Sequence, residues 1–103
     1  MKQAKFSIGQ CICHKLFDYR GVIVDADPEF QGTEAWYETV ARSRPPRDEP
    51  WYRVLVHNAD HETYVAERNL TGDTSRAPVE HPLLDVFFDG FDKGFYMMGR
   101  HDS

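Results

Sequence analysis

The segment at residues 14–28, HKLFDYRGVIVDADP, most limits what this chain can fold into. It begins with a polar turn over residues 17–21 and continues into the apolar run Gly-Val-Ile-Val at residues 21–24. A short run rich in β-branched residues, closed by Asp-Pro, is typical of a buried strand. The residues just before it, 8–14, are predicted to form a second strand. This part of the chain therefore predicts a β-hairpin.

Further strands are predicted downstream. Residues 51–57, WYRVLVH, give the strongest strand pattern in the chain, and residues 61–66 alternate as its return strand after an Asn-Ala-Asp turn. Residues 67–70 are typical of a single helical turn, with Leu70 directed into the core. Two hairpins and little helix predict a mainly β fold, a small β-barrel that binds a partner.

A short helix is predicted inside this β pattern, near residues 33–44. Thr33 is suited to cap its N-terminus, and a Pro-Pro pair ends it. Trp36 and Val40 share one helical face at i, i+4 spacing, and Tyr37 is a further candidate for that face. We interpret this helix as an insertion in a loop of the β fold.

The predicted domain organisation follows from these elements. We expect a barrel domain at residues 5–72 that contains the helical insertion. A C-terminal extension at residues 73–103 is expected to be partly helical, because apolar residues recur at helical spacing after a proline. The apolar residues of this extension either pack back on the barrel or form a contact in a homo-oligomer, and the sequence leaves both open.

Cys11 and Cys13 are the only cysteines of the chain. They share one face of a predicted strand and are too close for an unstrained disulfide. Their functional interpretation is half of a metal site completed by His14 or His61. A tetrahedral zinc site usually shows a second ligand pair with recognisable spacing, which the sequence lacks. We therefore expect buried core cysteines, no metal and no cofactor.

The sequence does not favour an enzyme. His14, His57 and His61 have acidic neighbours, but a hydrolase needs a nucleophile, an oriented base and oxyanion donors together. Cys13 and His14 point to opposite faces of a strand, which disfavours a direct thiolate–imidazole pair. A hydrolase that uses His57 or His61 is the distant alternative.

Net charge is −5, and the excess acid lies in the second half of the chain. Residues 1–53 hold eight Lys/Arg and eight Asp/Glu, whereas residues 54–103 hold four and nine. An acidic protein is a poor general binder of nucleic acid, although a local basic patch in the first half remains compatible with it. No apolar stretch approaches the roughly 18 residues of a membrane span, and the N-terminus lacks the apolar segment of a signal peptide. We expect a cytoplasmic protein with no membrane partner.

A candidate nucleic-acid site lies in the first turn. Lys15, Tyr19 and Arg20 cluster there, and Arg53 is expected near them. Arg20 is suited to bind a phosphate and Tyr19 to stack on a base. In the alternative interpretation Tyr19 covers the end of the barrel and Arg20 pairs with a nearby aspartate. We expect Arg20→Ala to leave folding intact.

A candidate protein-binding site surrounds the helical insertion, where several aromatic residues lie. Aromatic residues are favoured anchors of interfaces, but Trp36 and Trp51 are equally suited to a satellite core between helix and barrel. The better surface candidates, and our predicted partner-binding residues, are Tyr37, Arg42, Arg44 and Arg47.

Several segments together carry a family resemblance. They are FSIGQ at residues 6–10, HKLFDYRGVIVDADPEF at 14–30, PWYRVLV at 50–56 and ETYVAERNL at 62–70. In this order, the chain resembles the YccV-like hemimethylated-DNA-binding family, which includes a bacterial heat shock protein.

The resemblance implies an SH3-like β-barrel and two roles, neither of which needs chemistry from the chain. One is a stress-linked role that promotes degradation of denatured or specific proteins, as an adaptor or modulator of an ATP-dependent protease. The partners are then the protease and its protein substrates. The alternative role is binding of hemimethylated DNA. We take the first as the main hypothesis.

Overall fold

The structure, a computed structural model of the chain, describes residues 4–41 and 43–98. The strands of the main sheet are β1 Cys11–His14, β2 Arg20–Asp27, β3 Trp51–Val56, β4 Glu62–Ala66 and β5 Leu70–Gly72. They form one antiparallel sheet in the order β4-β3-β2-β1-β5. Both predicted hairpins and the strand after the helical turn are therefore present.

The remaining elements lie between and after these strands. They are helix α1 Glu34–Val40, the 3-10 turn Glu67–Asn69, helix α2 Leu84–Phe87, and the strands β6 Phe88–Asp92 and β7 Phe95–Met98, which pair as a second sheet. No helix within the described ranges is long and apolar enough to cross a membrane.

The main core fills the inner face of the five-stranded sheet. Val65 of β4 and Leu70 of β5 come from opposite ends of the strand order, yet they pack in the same cluster of buried residues. The sheet must therefore curve, but across the described residues β4 and β5 form no ladder with each other. The mainly β class is confirmed, whereas closure into an SH3-like barrel stays a prediction.

Helix α1 begins where the sequence predicts. The Thr33 hydroxyl accepts a hydrogen bond from the Trp36 amide at 3.1 Å, which satisfies one of the unpaired N–H groups of the first turn. The helix ends at Val40, earlier than the predicted boundary. Its buried residue is Tyr37, while Val40 is exposed and Trp36 half-buried. Val40 therefore lies apart from the buried side of α1. Tyr37 is buried with Trp51, and Trp36 packs against the same cluster, which is the satellite core given as the alternative for the two tryptophans.

The C-terminal residues pack on the outer face of the main sheet. Val79 and Phe88 share a cluster of buried residues with Val22 of β2 and Leu55 of β3. Over residues 73–98 of the extension, α2 is the single α-helical turn, and a β-hairpin follows it. Of the two alternatives for the apolar tail, packing against the main domain and contact in a homo-oligomer, Val79 and Phe88 therefore follow the first. The predicted boundary between residues 72 and 73 stays a prediction.

Candidate binding surfaces

Arg20 lies at the start of β2 and is bonded to the C-terminal extension. Its Nε donates to Asp73 Oδ2 at 2.8 Å, and its terminal nitrogens donate to the carbonyls of Ala77 and Pro78. The Asp73 side chain is only 5% exposed. Burial alone raises the pKa of Asp73, but hydrogen bonds from Arg20 and Ser75 outweigh it, so the net shift is downward. Arg20 therefore has a protein partner, and it is neither of the aspartates close to it in sequence.

Tyr19 takes the structural role that the sequence left as the alternative. It is half-buried against the main core cluster, and its hydroxyl lies 2.7 Å from Thr63 Oγ1. Its ring also lies 5.1 Å from the His14 ring. Burial raises the pKa of Tyr19. The Tyr19 ring, which was predicted to stack on a base, therefore packs largely against other residues of the protein.

The four predicted nucleic-acid residues do not meet in one site. Arg53 is exposed on β3, opposite Asp25 of β2, with its guanidinium 5.9 Å from the Tyr64 ring centre. Arg20 and Asp25 are five residues apart on β2, which places Arg20 and Arg53 about 15 Å apart along the strand. Lys15 is exposed in the turn after β1. The role of these residues in DNA binding stays a prediction.

Tyr37 is not on the surface, so the expectation of an exposed anchor there is wrong. It is only 7% exposed, and its hydroxyl donates to the Pro45 carbonyl at 2.7 Å. The accepting carbonyl belongs to the Pro-Pro segment that follows α1. Tyr37 also packs with Trp51 of β3 and Ala66 of β4, and this packing fixes the insertion to the sheet.

The arginines of the same group are engaged to different degrees. Arg47 makes a bidentate contact with the Glu34 carboxylate, at 2.7 and 2.6 Å, on the exposed side of α1. Arg44 pairs with Glu38 at 3.3 Å and donates to carbonyls at the end of α1. Arg42 lies outside the described residues. The Arg47 guanidinium also lies 3.9 Å from the centre of the Tyr37 ring, so Arg47 is held more firmly than Arg44. The exposed Arg44–Glu38 pair is weak, so Arg44 remains accessible to a partner.

The turn between β1 and β2 contains a feature that the sequence analysis missed. The buried His14 ring accepts hydrogen bonds at Nδ1 from the amides of Leu16 and Phe17, both at 3.1 Å. Burial lowers the pKa of His14, in keeping with a neutral acceptor. With their amides held inward, the side chains of Leu16 and Phe17 are 56% and 70% exposed. The sequence did contain a signal for this exposed pair, since two large apolar residues stand next to each other in an otherwise polar turn.

These side chains border a groove that we name the edge groove. It consists of two adjoining cavities of about 400 and 530 Å³, which share Trp36, Val40 and Tyr64 in their linings. Leu16 and Phe17 line the smaller cavity, and Arg53 lines the larger. Trp36 and Tyr64 pack edge to face, with ring centres 5.7 Å apart. The groove is therefore largely apolar and its walls are rigid aromatic rings.

The cysteines give little support for catalysis or metal binding. Cys11 is buried, and burial raises its pKa to about 11, so it is a neutral thiol at neutral pH. The pKa of Cys13 is also raised, first by burial and then by Asp73. Among the residues that the structure describes, no group of three His, Cys, Asp or Glu is placed to hold a metal ion. The expectations of no metal and no cofactor stay predictions.

Comparison with known families gives a match over most of the chain. A family model described as "Hemimethylated DNA-binding protein YccV like" matches residues 4–95. The match includes the whole five-stranded sheet, the insertion and most of the C-terminal extension.

Proposed function

The chain belongs to the YccV-like family of hemimethylated DNA-binding proteins, and from this premise we propose that it is a non-enzymatic, cytoplasmic regulator of proteolysis. In this role it acts under stress as an adaptor or modulator of an ATP-dependent protease, promoting degradation of denatured or specific proteins. Its partners are the protease and the substrates of that protease.

The observation that carries this proposal is the exposure of apolar side chains around the edge groove. Leu16, Phe17 and Val40 are 56%, 70% and 52% exposed and border one continuous depression. A contiguous exposed apolar patch marks an interaction site more often than it marks a stable free surface. A groove with aromatic walls suits polypeptide side chains better than it suits phosphates, which require local positive charge.

Two further parts of the proposal have their own support. Raised pKa values leave both thiols protonated at neutral pH, which argues against cysteine nucleophiles. For the fold, we propose that the curved sheet is of the SH3-like barrel type. The strand order β4-β3-β2-β1-β5 and the shared packing of Val65 and Leu70 support this, since both bring the ends of the sheet together.

Hemimethylated-DNA binding is the second candidate function, and the family match favours it directly. The structure supplies two exposed cations that suit phosphate. They are Lys15 and Arg68: Lys15 donates its amide to the Asn69 carbonyl at 2.8 Å, so its backbone adjoins the 3-10 turn that contains Arg68. In the described part of the chain neither side chain forms an ion pair.

A degradation assay tests the first candidate. The half-life of a heat-denatured substrate is measured with a purified ATP-dependent protease, with and without the full chain. We expect the half-life to shorten as the chain is added and the Phe17→Ser variant to lose this effect. The exposed Val86→Ser variant, changed on α2, is the matched control. An unchanged half-life at saturating concentration would remove the adaptor proposal.

Gel shifts test the second candidate. Hemimethylated, fully methylated and unmethylated duplexes of one sequence are titrated at several salt concentrations. Tight binding to the hemimethylated duplex alone, weakening as salt rises, would establish the DNA-binding function. Equal affinity for all three duplexes would exclude recognition of hemimethylation.

A further inference from the structure

Strand β4 has an edge whose backbone groups are open. In an antiparallel pair, hydrogen-bonded and non-hydrogen-bonded residue pairs alternate. Val56 donates its amide to the His61 carbonyl at 3.3 Å, so Thr63 faces β3 in the next bonded pair. Glu62 and Tyr64 consequently direct their N–H and C=O groups away from β3. β4 stands last in the strand order, so this side has no neighbouring strand within the described chain.

The opposite end of the ladder keeps the same alternation. Glu67 donates its amide to the Pro50 carbonyl at 2.9 Å, which continues the set of residues bonded to β3. Over residues 4–41 and 43–98, no backbone hydrogen bond reaches Glu62 or Tyr64 from the open side. A row of unpaired backbone groups is a template for pairing with another polypeptide segment.

The open edge and the edge groove coincide. Residues of β4 line both cavities, the larger through Glu62, Thr63 and Tyr64 and the smaller through Tyr64, Val65 and Ala66. Apolar side chains of α1 and of the β1–β2 turn stand beside this edge. The site therefore offers backbone hydrogen bonds and apolar contacts side by side, the combination by which sheet edges bind extended peptides.

We propose that the edge groove binds an extended polypeptide segment, which pairs with β4 as an added strand and seats alternate apolar side chains against Trp36, Val40 and Phe17. This inference rests on the proposed function, because it names the ligand class of the same groove. It adds the binding mode, which is recognition of backbone and side-chain alternation instead of one fixed sequence.

The charges around the groove set the preferred ligand. Lys15 and Arg68 stand at the end where β4 runs into the 3-10 turn. Asp27, Arg53 and Glu62 line the larger cavity. A segment with carboxylates at its end nearest Lys15 and Arg68 fits this arrangement.

Fluorescence polarisation with synthetic peptides tests the binding mode. The probe is a short labelled peptide in which Leu and Thr alternate, with two Asp residues at each end, so that carboxylates reach Lys15 and Arg68 in either strand direction. All Leu amides lie on one edge of the extended peptide and all Thr amides on the other. We expect N-methylation of only one of these sets to weaken binding, about tenfold for each amide that bonds to β4. Equal effects of both sets, or no binding of the probe, would overturn the proposal.

Protein variants test the location. Phe17→Ser should weaken binding about tenfold, whereas Val86→Ser, at a side chain 71% exposed on α2, should not. Lys15→Glu should weaken binding of the Asp-containing probe, and Lys93→Glu, in the β6–β7 turn, should not. Circular dichroism checks that each variant is folded. If folded Phe17→Ser and Lys15→Glu both bind the probe with wild-type affinity, the location of the peptide site in the edge groove is wrong.

The other occupants of the groove give distinguishable results. Competition of the probe by duplex DNA would assign the groove to nucleic acid and overturn the proposal. A concentration-dependent dimer that Phe17→Ser dissociates would assign it to a second copy of the chain, with the same consequence. If the probe binds as expected but substrate half-lives do not change, the peptide site stands and the protease role fails. If substrate half-lives change but the probe does not bind, the protease role stands and the peptide site fails.

Discussion

Replacing Arg20 by alanine should destabilise the protein, contrary to the expectation from the sequence. Asp73 would keep its buried carboxylate but lose its only cationic partner within the described residues. Breaking a buried ion pair from one side costs about 3–5 kcal/mol. Arg20 is 22% exposed, so solvent compensates part of this loss. We expect a loss of about 2–3 kcal/mol, which lowers Tm by about 10–20 °C for a chain of this size.

A double-mutant cycle isolates the pair. Urea unfolding of wild type, Arg20→Ala, Asp73→Ala and the double variant is followed by tryptophan fluorescence, to which the buried Trp51 contributes. The double variant should lose less than the two single variants together, with a coupling energy above about 1 kcal/mol. Arg68→Ala, at an exposed arginine, is the control and should change stability by less than about 0.5 kcal/mol. A comparably small effect of Arg20→Ala would refute the reasoning.

The pH dependence gives an independent check on the same pair. The pKa of Asp73 is lowered from its ordinary value of 3.8 in the folded protein. The contribution of Asp73 to the free energy of unfolding is therefore fully present above pH 3.8. It is lost as pH falls through the lower pKa of the folded state. In Asp73→Ala the corresponding part of the acid-induced loss of stability should be absent.

Two further predictions concern the hairpin turn and the junction with the tail. The lowered pKa of His14 means that stability should fall as pH drops below the ordinary value of 6.5, and His14→Gln should flatten this dependence in urea titrations across pH 5–8. Gly9→Ala should cost at least about 2 kcal/mol in urea unfolding, because Gly9 has φ +92° and a Cβ there would lie 2.1 Å from the Tyr96 carbonyl oxygen. Gly72→Ala meets nothing nearer than 3.6 Å and is the control; equal losses would contradict the steric argument.

Local patterns in the sequence predicted the mainly β fold and the order of its elements. The predicted strand at residues 51–57 is β3, and the predicted turn at 67–70 is the 3-10 turn with Leu70 in the core. The Thr33 cap is present as predicted. These features depend on β-branched runs, turn residues and caps, all of which act over a few neighbouring residues. The family resemblance is confirmed by the family match.

The misplaced side chains depend on contacts between distant segments. Arg20 was expected to find its partner nearby, but Asp73 is brought to it only when the extension packs on β2. Tyr37 was expected on the surface, but α1 has only seven residues. In so short a helix, spacing alone does not determine the buried face. Tyr37 is buried because it packs with Trp51 and Ala66 of the sheet, and the Pro45 carbonyl satisfies its hydroxyl. The open edge of β4 is likewise a property of strand order, which residue patterns do not fix.

The Arg20–Asp73 pair also limits how this chain can bind DNA. A phosphate contact by Arg20 requires its guanidinium to leave Asp73, at a cost close to that of Arg20→Ala. Since 1.4 kcal/mol is tenfold in affinity, about 2–3 kcal/mol weakens such binding roughly 30- to 150-fold compared with a free arginine. Lys15 and Arg68 carry no such cost, because neither forms an ion pair within the described ranges. Lys15→Ala and Arg68→Ala should therefore each reduce the salt dependence of DNA binding, measured by gel shift. If Arg20→Ala reduces the salt dependence of DNA binding more than Lys15→Ala and Arg68→Ala do, and leaves stability unchanged, then the Arg20–Asp73 pair opens at little cost. That result would contradict the weakening expected here.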